Sequence, residues 1–168
     1  IGEPTELRVM LLPTAVKCFG GNSGSAKATP SGGTSPYQIN WANGTQTAVL
    51  SNLAAGIYTM SVTDANGCIT PASVEVTQPL APLSGTATME APSCNGGYDG
   101  RIFIAGAGGT PSYRYVIDNK TPNGSAVQIG IPAGTYTPKI IDVNGCEFEV
   151  APLVVTQPDP IQVDLGPD

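Results

Sequence analysis

The chain has no histidine, which removes Ser-His-Asp triads, Cys-His pairs and histidine-bound metal sites together. Charge is scarce too: Asp, Glu, Lys and Arg make up 12% of the 168 residues, about half the usual share, so solubility has to rest on Thr, Ser, Asn, Gln and Gly. The net charge of −6 is unevenly placed. Residues 5–79 hold three acids and three bases, residues 80–158 hold six acids and four bases, and Glu3, Asp159, Asp164 and Asp168 supply the rest. With no basic stripe to contact phosphates, no nucleic acid is expected as a partner. There is no run of about 18 apolar residues and no basic amphipathic segment, so no membrane insertion is expected. A start at Ile1 without methionine, and an end in Ile161-Gln-Val-Asp-Leu-Gly-Pro-Asp168, read as a piece of a longer protein.

Glycine and proline, by contrast, are abundant: 37 of 168 residues, beside 40% hydrophobic residues. Disorder needs low hydrophobicity and high charge, so this composition predicts a folded, turn-rich chain. Shifted by 76, the chain matches itself: Cys18-Phe-Gly-Gly-Asn-Ser-Gly24 falls on Cys94-Asn-Gly-Gly-Tyr-Asp-Gly100, Gly32-Gly-Thr34 on Gly108-Gly-Thr110, and Tyr37 on Tyr113. Two inserted residues move the shift to 78, pairing Ala55-Gly-Ile-Tyr58 with Ala133-Gly-Thr-Tyr136 and Asp64-Ala-Asn-Gly-Cys68 with Asp142-Val-Asn-Gly-Cys146. One further insertion makes it 79 and pairs Val76-Thr-Gln-Pro79 with Val155-Thr-Gln-Pro158. The chain is a tandem repeat, with modules expected at 1–79 and 80–158 and a linker into a following module at 159–168.

Within each copy the apolar period is 2, as half-buried strands require. Tyr37, Ile39 and Trp41 alternate with Gln38 and Asn40; Tyr113, Tyr115 and Ile117 alternate with Arg114, Val116 and Asp118; Tyr58, Met60 and Val62 alternate with Thr59, Ser61 and Thr63. Six or seven strands per copy are predicted, near 7–17, 25–29, 36–41, 47–50, 57–63 and 68–77 with equivalents downstream. Short strands between Gly, Pro and Asn turns, with no helical period, predict an all-β protein of two immunoglobulin-like or fibronectin-like antiparallel β-sandwich modules. Pro138 lies in a strand that should be central, where it removes a ladder donor and predicts a bulge or an edge.

Asn66-Gly67 and Asn144-Gly145 are hairpin signals because both residue types tolerate positive φ. A cysteine follows each. Its partner is expected at the end of the first strand of the same copy, giving disulfides Cys18–Cys68 and Cys94–Cys146, since of three possible pairings this one lets each repeat fold alone. Such a loop of about 50 residues would be worth roughly 4 kcal/mol in chain entropy, and it points to an oxidising compartment. The competing reading is buried free thiols; a zinc–thiolate site lacks ligands.

No catalytic residue, cofactor or metal site is expected. The acids that recur at equivalent positions, Asp64 and Asp142, sit two residues before a turn asparagine, where capping of backbone N–H groups outweighs calcium ligation and catalysis. The Gly-Gly pairs at 20–21, 32–33, 96–97 and 108–109 carry no phosphate-loop ending and read as turn glycines. Tyr58 and Tyr136 have the position of a tyrosine corner. Trp41 could be a sugar-stacking platform, but its equivalent is Ile117 and it falls on the apolar side of its strand, which favours the core. Asn43-Gly-Thr45 and Asn123-Gly-Ser125 fit the glycosylation sequon and equally fit plain turn chemistry.

The combined pattern, Cys-x-Gly-Gly-x-x-Gly, Gly-Gly-Thr-x-x-Tyr, Ala-Gly-x-Tyr, Asp-x-Asn-Gly-Cys and Val-Thr-Gln-Pro, resembles the SprB repeat of cell-surface proteins in gliding Bacteroidota, over about residues 15–158. The resemblance implies an extracellular module of a large adhesin, exported by the type IX route and used to grip a substratum. The closing Asp164-Leu-Gly-Pro-Asp168 resembles the start of another surface module. Expected partners are neighbouring modules of the same long protein, with surface polysaccharide or a solid substratum beyond them, and the chain is expected to be monomeric. Two alternatives remain open: a carbohydrate-binding or spacer region of a secreted polysaccharide-degrading enzyme, and a calcium-dependent module.

Overall fold

A computed structural model describes residues 5–118 and 122–163. Part of the loop at 119–125 and the closing 164–168 segment lie outside the described residues. The described residues contain strands and turns and no helix, and the chain divides into two compact units, 1–80 and 81–168.

The first unit has six strands: β1 (Arg8–Thr14), β2 (Gly24–Ser31), β3 (Gln38–Trp41), β4 (Val49–Leu53), β5 (Gly56–Thr63) and β6 (Ile69–Val76). They form two antiparallel sheets, in the orders β1-β2-β4 and β3-β5-β6. This is the strand order of an immunoglobulin-like sandwich, A-B-E against C-F-G, without the D strand. Alternation fixes which side chains meet between the sheets. Ala26, Ala28 and Leu50 come from one sheet and Trp41, Met60, Val62 and Val76 from the other, with Val62 fully buried. The outward positions Thr59, Ser61 and Thr63 are the polar ones predicted.

The second unit repeats this order with β7 (Ser84–Glu90), β8 (Gly100–Ala107), β9 (Arg114–Ile117), β10 (Val127–Ile131), β11 (Gly134–Tyr136), β12 (Pro138–Ile141), β13 (Glu147–Glu149) and β14 (Leu153–Val155). The sheets are β10-β8-β7 and β13-β12-β9, with β11 pairing β14 as an offset continuation. Ile102 and Ile140 are fully buried at the centre of its core. Val116 departs from the alternation: it lies on the outward side yet is buried, beside its cross-strand partner Lys139, whose aliphatic stem can cover it.

Pro138 splits what is one strand in the first unit. Tyr136 faces Leu153 and Lys139 faces Glu149, so three steps on one strand oppose four on the other, which is a one-residue bulge. Pro138 has no N–H to give, and its carbonyl accepts the Val150 N–H at 2.8 Å. The residue that moved the repeat shift from 78 to 79 is this bulge. A second bulge interrupts β4 and β10 at equivalent positions, where Asn52 (φ 58) and Gly130 (φ 73) take the left-handed conformation. Asn and Gly tolerate that conformation best.

Candidate functional site

Each unit places its recurring motif residues at two poles. At the entry pole, where the chain comes into the module, one buried carboxylate organises two loops. Asp64 Oδ1 accepts the N–H groups of Asn66 (2.9 Å) and Cys68 (2.8 Å), and its Oδ2 accepts the Thr34 N–H (2.9 Å). The Asn66 side-chain amide donates to Thr34 Oγ1 at 3.0 Å. The Gly-Gly-Thr and Asp-x-Asn-Gly-Cys motifs, thirty residues apart in sequence, are thus one structure. Gly33 (φ 57) is required there because a Cβ would sit 2.8 Å from Asp64 Oδ2. The backbone donors, Thr34 first, hold the Asp64 carboxyl below the usual carboxylate range, with burial opposing them in part. The second unit repeats the arrangement: Asp142, with no solvent exposure, accepts the N–H groups of Thr110, Asn144 and Cys146, each at 2.9 Å.

The exit pole holds the first cysteine of each module. Val16 N–H donates to the Thr77 carbonyl at 2.8 Å, and Gln78 Oε1 caps the Gly20 N–H at 2.8 Å. In the second unit Gln157 Oε1 caps the Gly96 N–H at 2.9 Å, and the Asn95 side-chain amide donates to the Pro158 carbonyl at 2.9 Å. The glutamine of each Val-Thr-Gln-Pro motif therefore closes the turn that presents Cys18 or Cys94. Sequence reasoning missed this role, although the recurrence of that glutamine was its signal.

These poles overturn the expected disulfides Cys18–Cys68 and Cys94–Cys146. The strands β1 and β6 run in the same direction: Thr70 Oγ1 donates to the Leu7 carbonyl at one end and Val16 meets Thr77 at the other. Cys18, which follows β1, therefore lies at the end of β6, and Cys68 precedes its start. Eight strand residues separate the two, roughly 26 Å at about 3.3 Å per residue, against the 4.4–6.8 Å between Cα atoms that a disulfide tolerates, about a quarter of it. Cys94 and Cys146 are divided in the same way, one beside Pro158 and the other at the Asp142 turn. Cys68 and Cys94 are free, exposed thiols, and Cys18 and Cys146 are disulfide-bonded.

The other candidate residues have structural roles. Trp41 is 3% exposed and its indole N–H donates to the Thr47 carbonyl at 2.9 Å, so no aromatic face is offered to a sugar. In both sequons the asparagine closes its own turn: Asn43 Oδ1 accepts the Thr45 N–H (3.0 Å) and Asn123 Oδ1 the Ser125 N–H (2.9 Å). Tyr58 and Tyr136 form tyrosine corners, donating to the carbonyls of Ala54 (3.0 Å) and Pro132 (2.9 Å). Among the described residues no three acidic or thiol side chains converge as a metal-ligand set. An open depression of about 460 Å³ lies at the entry pole of the first unit, between Leu7, Gly33, Asp64, Asn66, Cys68 and Thr70.

The family model of the SprB repeat matches residues 13–46 and 86–122, one segment in each unit. Each unit is similar to the SprB repeat over its matched segment. In both, the matched segment includes the turn holding the first cysteine, the second strand and the Gly-Gly-Thr turn that meets the buried aspartate. No curated protein matches. Among solved structures, the eight N-terminal immunoglobulin domains of Down syndrome cell adhesion molecule align at 13% identity and TM-score 0.42, covering 93% of this chain and 25% of that one. A C-terminal fragment of intimin, solved with the intimin-binding domain of its translocated receptor, aligns at 14% and 0.40, covering 92% and 64%. The BSP domain of a biofilm-associated protein aligns at 14% and 0.26, covering 86% and 29%. The chain spans less than two thirds of each of these, and the assignment of the sandwich rests on its own strand order.

Proposed function

We propose that the two SprB-like units are spacer modules of a large adhesin on the cell surface, with gripping done by loops or by other domains, and that they serve surface attachment, gliding motility included. One observation carries the reading: the residues that recur between the copies build the two poles of a sandwich, where the recurring carboxylate and glutamine are taken up in holding backbone N–H groups. Asp64 and Asp142 are engaged by backbone donors, which supports reading these two acids as structural and the modules as non-catalytic. Low charge on the sheet faces suits a crowded exterior, and proline after each Thr-Gln limits the freedom of the chain at the module ends. The test is a panel of soluble and insoluble polysaccharides, glass and plastic, presented to the 168-residue chain with and without calcium. A spacer shows no saturable binding to any of them. Saturable binding to one surface class would make the repeats the gripping element, and recovery of the native protein from the cytosol would remove the reading altogether.

A further inference from the structure

We propose that the first unit stacks side by side on the same unit of a second copy of this chain, the outer face of its β1-β2-β4 sheet against the outer face of its neighbour's β3-β5-β6 sheet, with Lys27 meeting Glu75.

The charges of the unit point to this partner. Residues 5–79 hold three acids and three bases. Arg8 pairs with Glu6 at 2.7 Å, Asp64 is taken up by backbone N–H groups, and Lys17 is also engaged. Lys27 and Glu75 remain, and among the described residues neither has an ion pair. They have opposite signs and lie on opposite outer faces of the sandwich: Lys27 between the buried Ala26 and Ala28 on β2, Glu75 between Val74 and the buried Val76 on β6. The sandwich cannot bring them together within itself, whereas a second copy can.

Their surroundings match as well. Lys27 stands in a row across its sheet between Leu12 and Val49, both exposed. Glu75 is paired in register with the exposed Ile57. Each charge is set among apolar side chains that the stack would cover with it, and an ion pair drawn partly out of water attracts more strongly than one in open solvent. Both charges lie in the exit-pole halves of their strands, since β2 begins and β6 ends at that pole. A stack with both units pointing the same way therefore covers the two faces along their length, while a reversed one would overlap them only at the exit ends.

The second copy of the repeat supplies an independent observation. By the shifts of 76 and 79, the residue equivalent to Lys27 is Phe103 and the residue equivalent to Glu75 is Val154. A cation and an anion on opposite faces are replaced together by two apolar side chains, the change expected of positions that touch in a stack. The exchange also sets register, because Lys27 placed against Val154 would cover a charge with an apolar side chain, so first units select first units. A three-stranded face seven residues long covers roughly 330 Å² at a strand spacing of about 4.8 Å and a rise of about 3.3 Å per residue. That is under half of the roughly 800 Å² per partner in a stable complex. One contact should then dissociate with a constant on the order of 1 mM, which leaves the dilute chain monomeric. In a tandem array, a consequence that rests on the reading above, every contact after the first forms at an effective concentration of about the same order, so parallel alignment accumulates.

The test uses the full chain at a concentration on the order of 1 mM, with the exposed thiols of Cys68 and Cys94 alkylated. Carbodiimide coupling of the wild type should join Lys27 to Glu75 of another copy in higher yield than Lys27 to Glu147 or Glu149, which are also exposed. In sedimentation equilibrium, Lys27→Glu and Glu75→Lys should each self-associate roughly five-fold more weakly than the wild type. Their equimolar mixture should return to within about two-fold of it, because opposite signs again face each other across the contact. Unchanged circular dichroism verifies the fold of each variant. A wild-type chain that stays monomeric at that concentration, cross-links in random proportions, single variants that associate as the wild type does, or a mixture as weak as its components would overturn the proposal. The readout is association between copies, so such a result leaves the surface-binding panel as it stands, and failure of that panel leaves the stack in place.

Discussion

Replacing Asp142 by alanine removes the acceptor of three backbone N–H groups at a site with no solvent exposure. A hydrogen bond to a charged group is worth about 1.5–3 kcal/mol, and a buried donor left unsatisfied costs about 1–3 kcal/mol. Water entering the opened turn recovers part of this, so the three donors together should cost roughly 3–5 kcal/mol. A module of this size is stable by about 5–10 kcal/mol, so the second unit should lose a third to a half or more of its stability. With a urea slope near 1 kcal/mol/M for a small domain, its midpoint should fall by roughly 3 M. The assay follows urea unfolding by two signals. Trp41 is the one tryptophan of the chain and lies in the core of the first unit, so its fluorescence reports that unit, whereas circular dichroism reports both. The dichroism transition should split while the fluorescence midpoint stays in place. Asp142→Asn should fall between, because its Oδ1 can still serve Asn144 and Cys146 while its amide meets the Thr110 N–H donor to donor. A shift under about 0.5 M for the alanine variant, less than one such bond, would refute the capping argument.

Acid should act on the first unit through Asp64. Its folded-state pKa is depressed by backbone donors, Thr34 first, so its contribution is present above the unfolded value near 3.9 and is lost as pH falls through the lower folded value; Asp64→Asn should flatten stability against pH in that acidic range. Ile140→Ala, at a fully buried position of a central strand, should cost about 3–4 kcal/mol. Ile129→Ala, 75% exposed, should stay within about 0.5 kcal/mol in the same denaturation experiment. Gly109→Ala should lower the melting temperature, because φ is 56° there and the added Cβ would lie 2.8 Å from Asp142 Oδ2; an unchanged melting temperature would show that the aspartate loop can move aside.

Much of this fold was legible in period-2 patterns and turn residues. Tyr58, Met60 and Val62 point inward as the alternation required, all six strands of the first copy lie within a few residues of their expected places, and Pro138 interrupts its strand as a residue without an N–H must. The unread part was direction. Alternation encodes the face a side chain takes and says nothing of which end of the last strand the first strand finishes beside. The cysteine pairing failed on that point, since β1 and β6 turned out to run the same way. The partnership of Thr34 with Asp64, or of Gly20 with Gln78, was likewise hidden, because it joins motifs across 30 and 58 residues. Recurrence marked those residues as needed without saying for what. Val116 was misread for a different reason: an outward position can still be covered by the long stem of a neighbour such as Lys139.

The entry and exit of each module at opposite ends has a mechanical meaning. When such a chain is pulled, tension runs along β1, which is laid against β2 in seven consecutive register pairs from Arg8–Ser31 to Thr14–Ser25. A load parallel to the strand strains all of those bonds at once in shear, where a load across the strand would peel them one after another. The survival time of a loaded module would then depend on the rate of that collective rupture, since forced unfolding is governed by the unfolding rate and not by equilibrium stability.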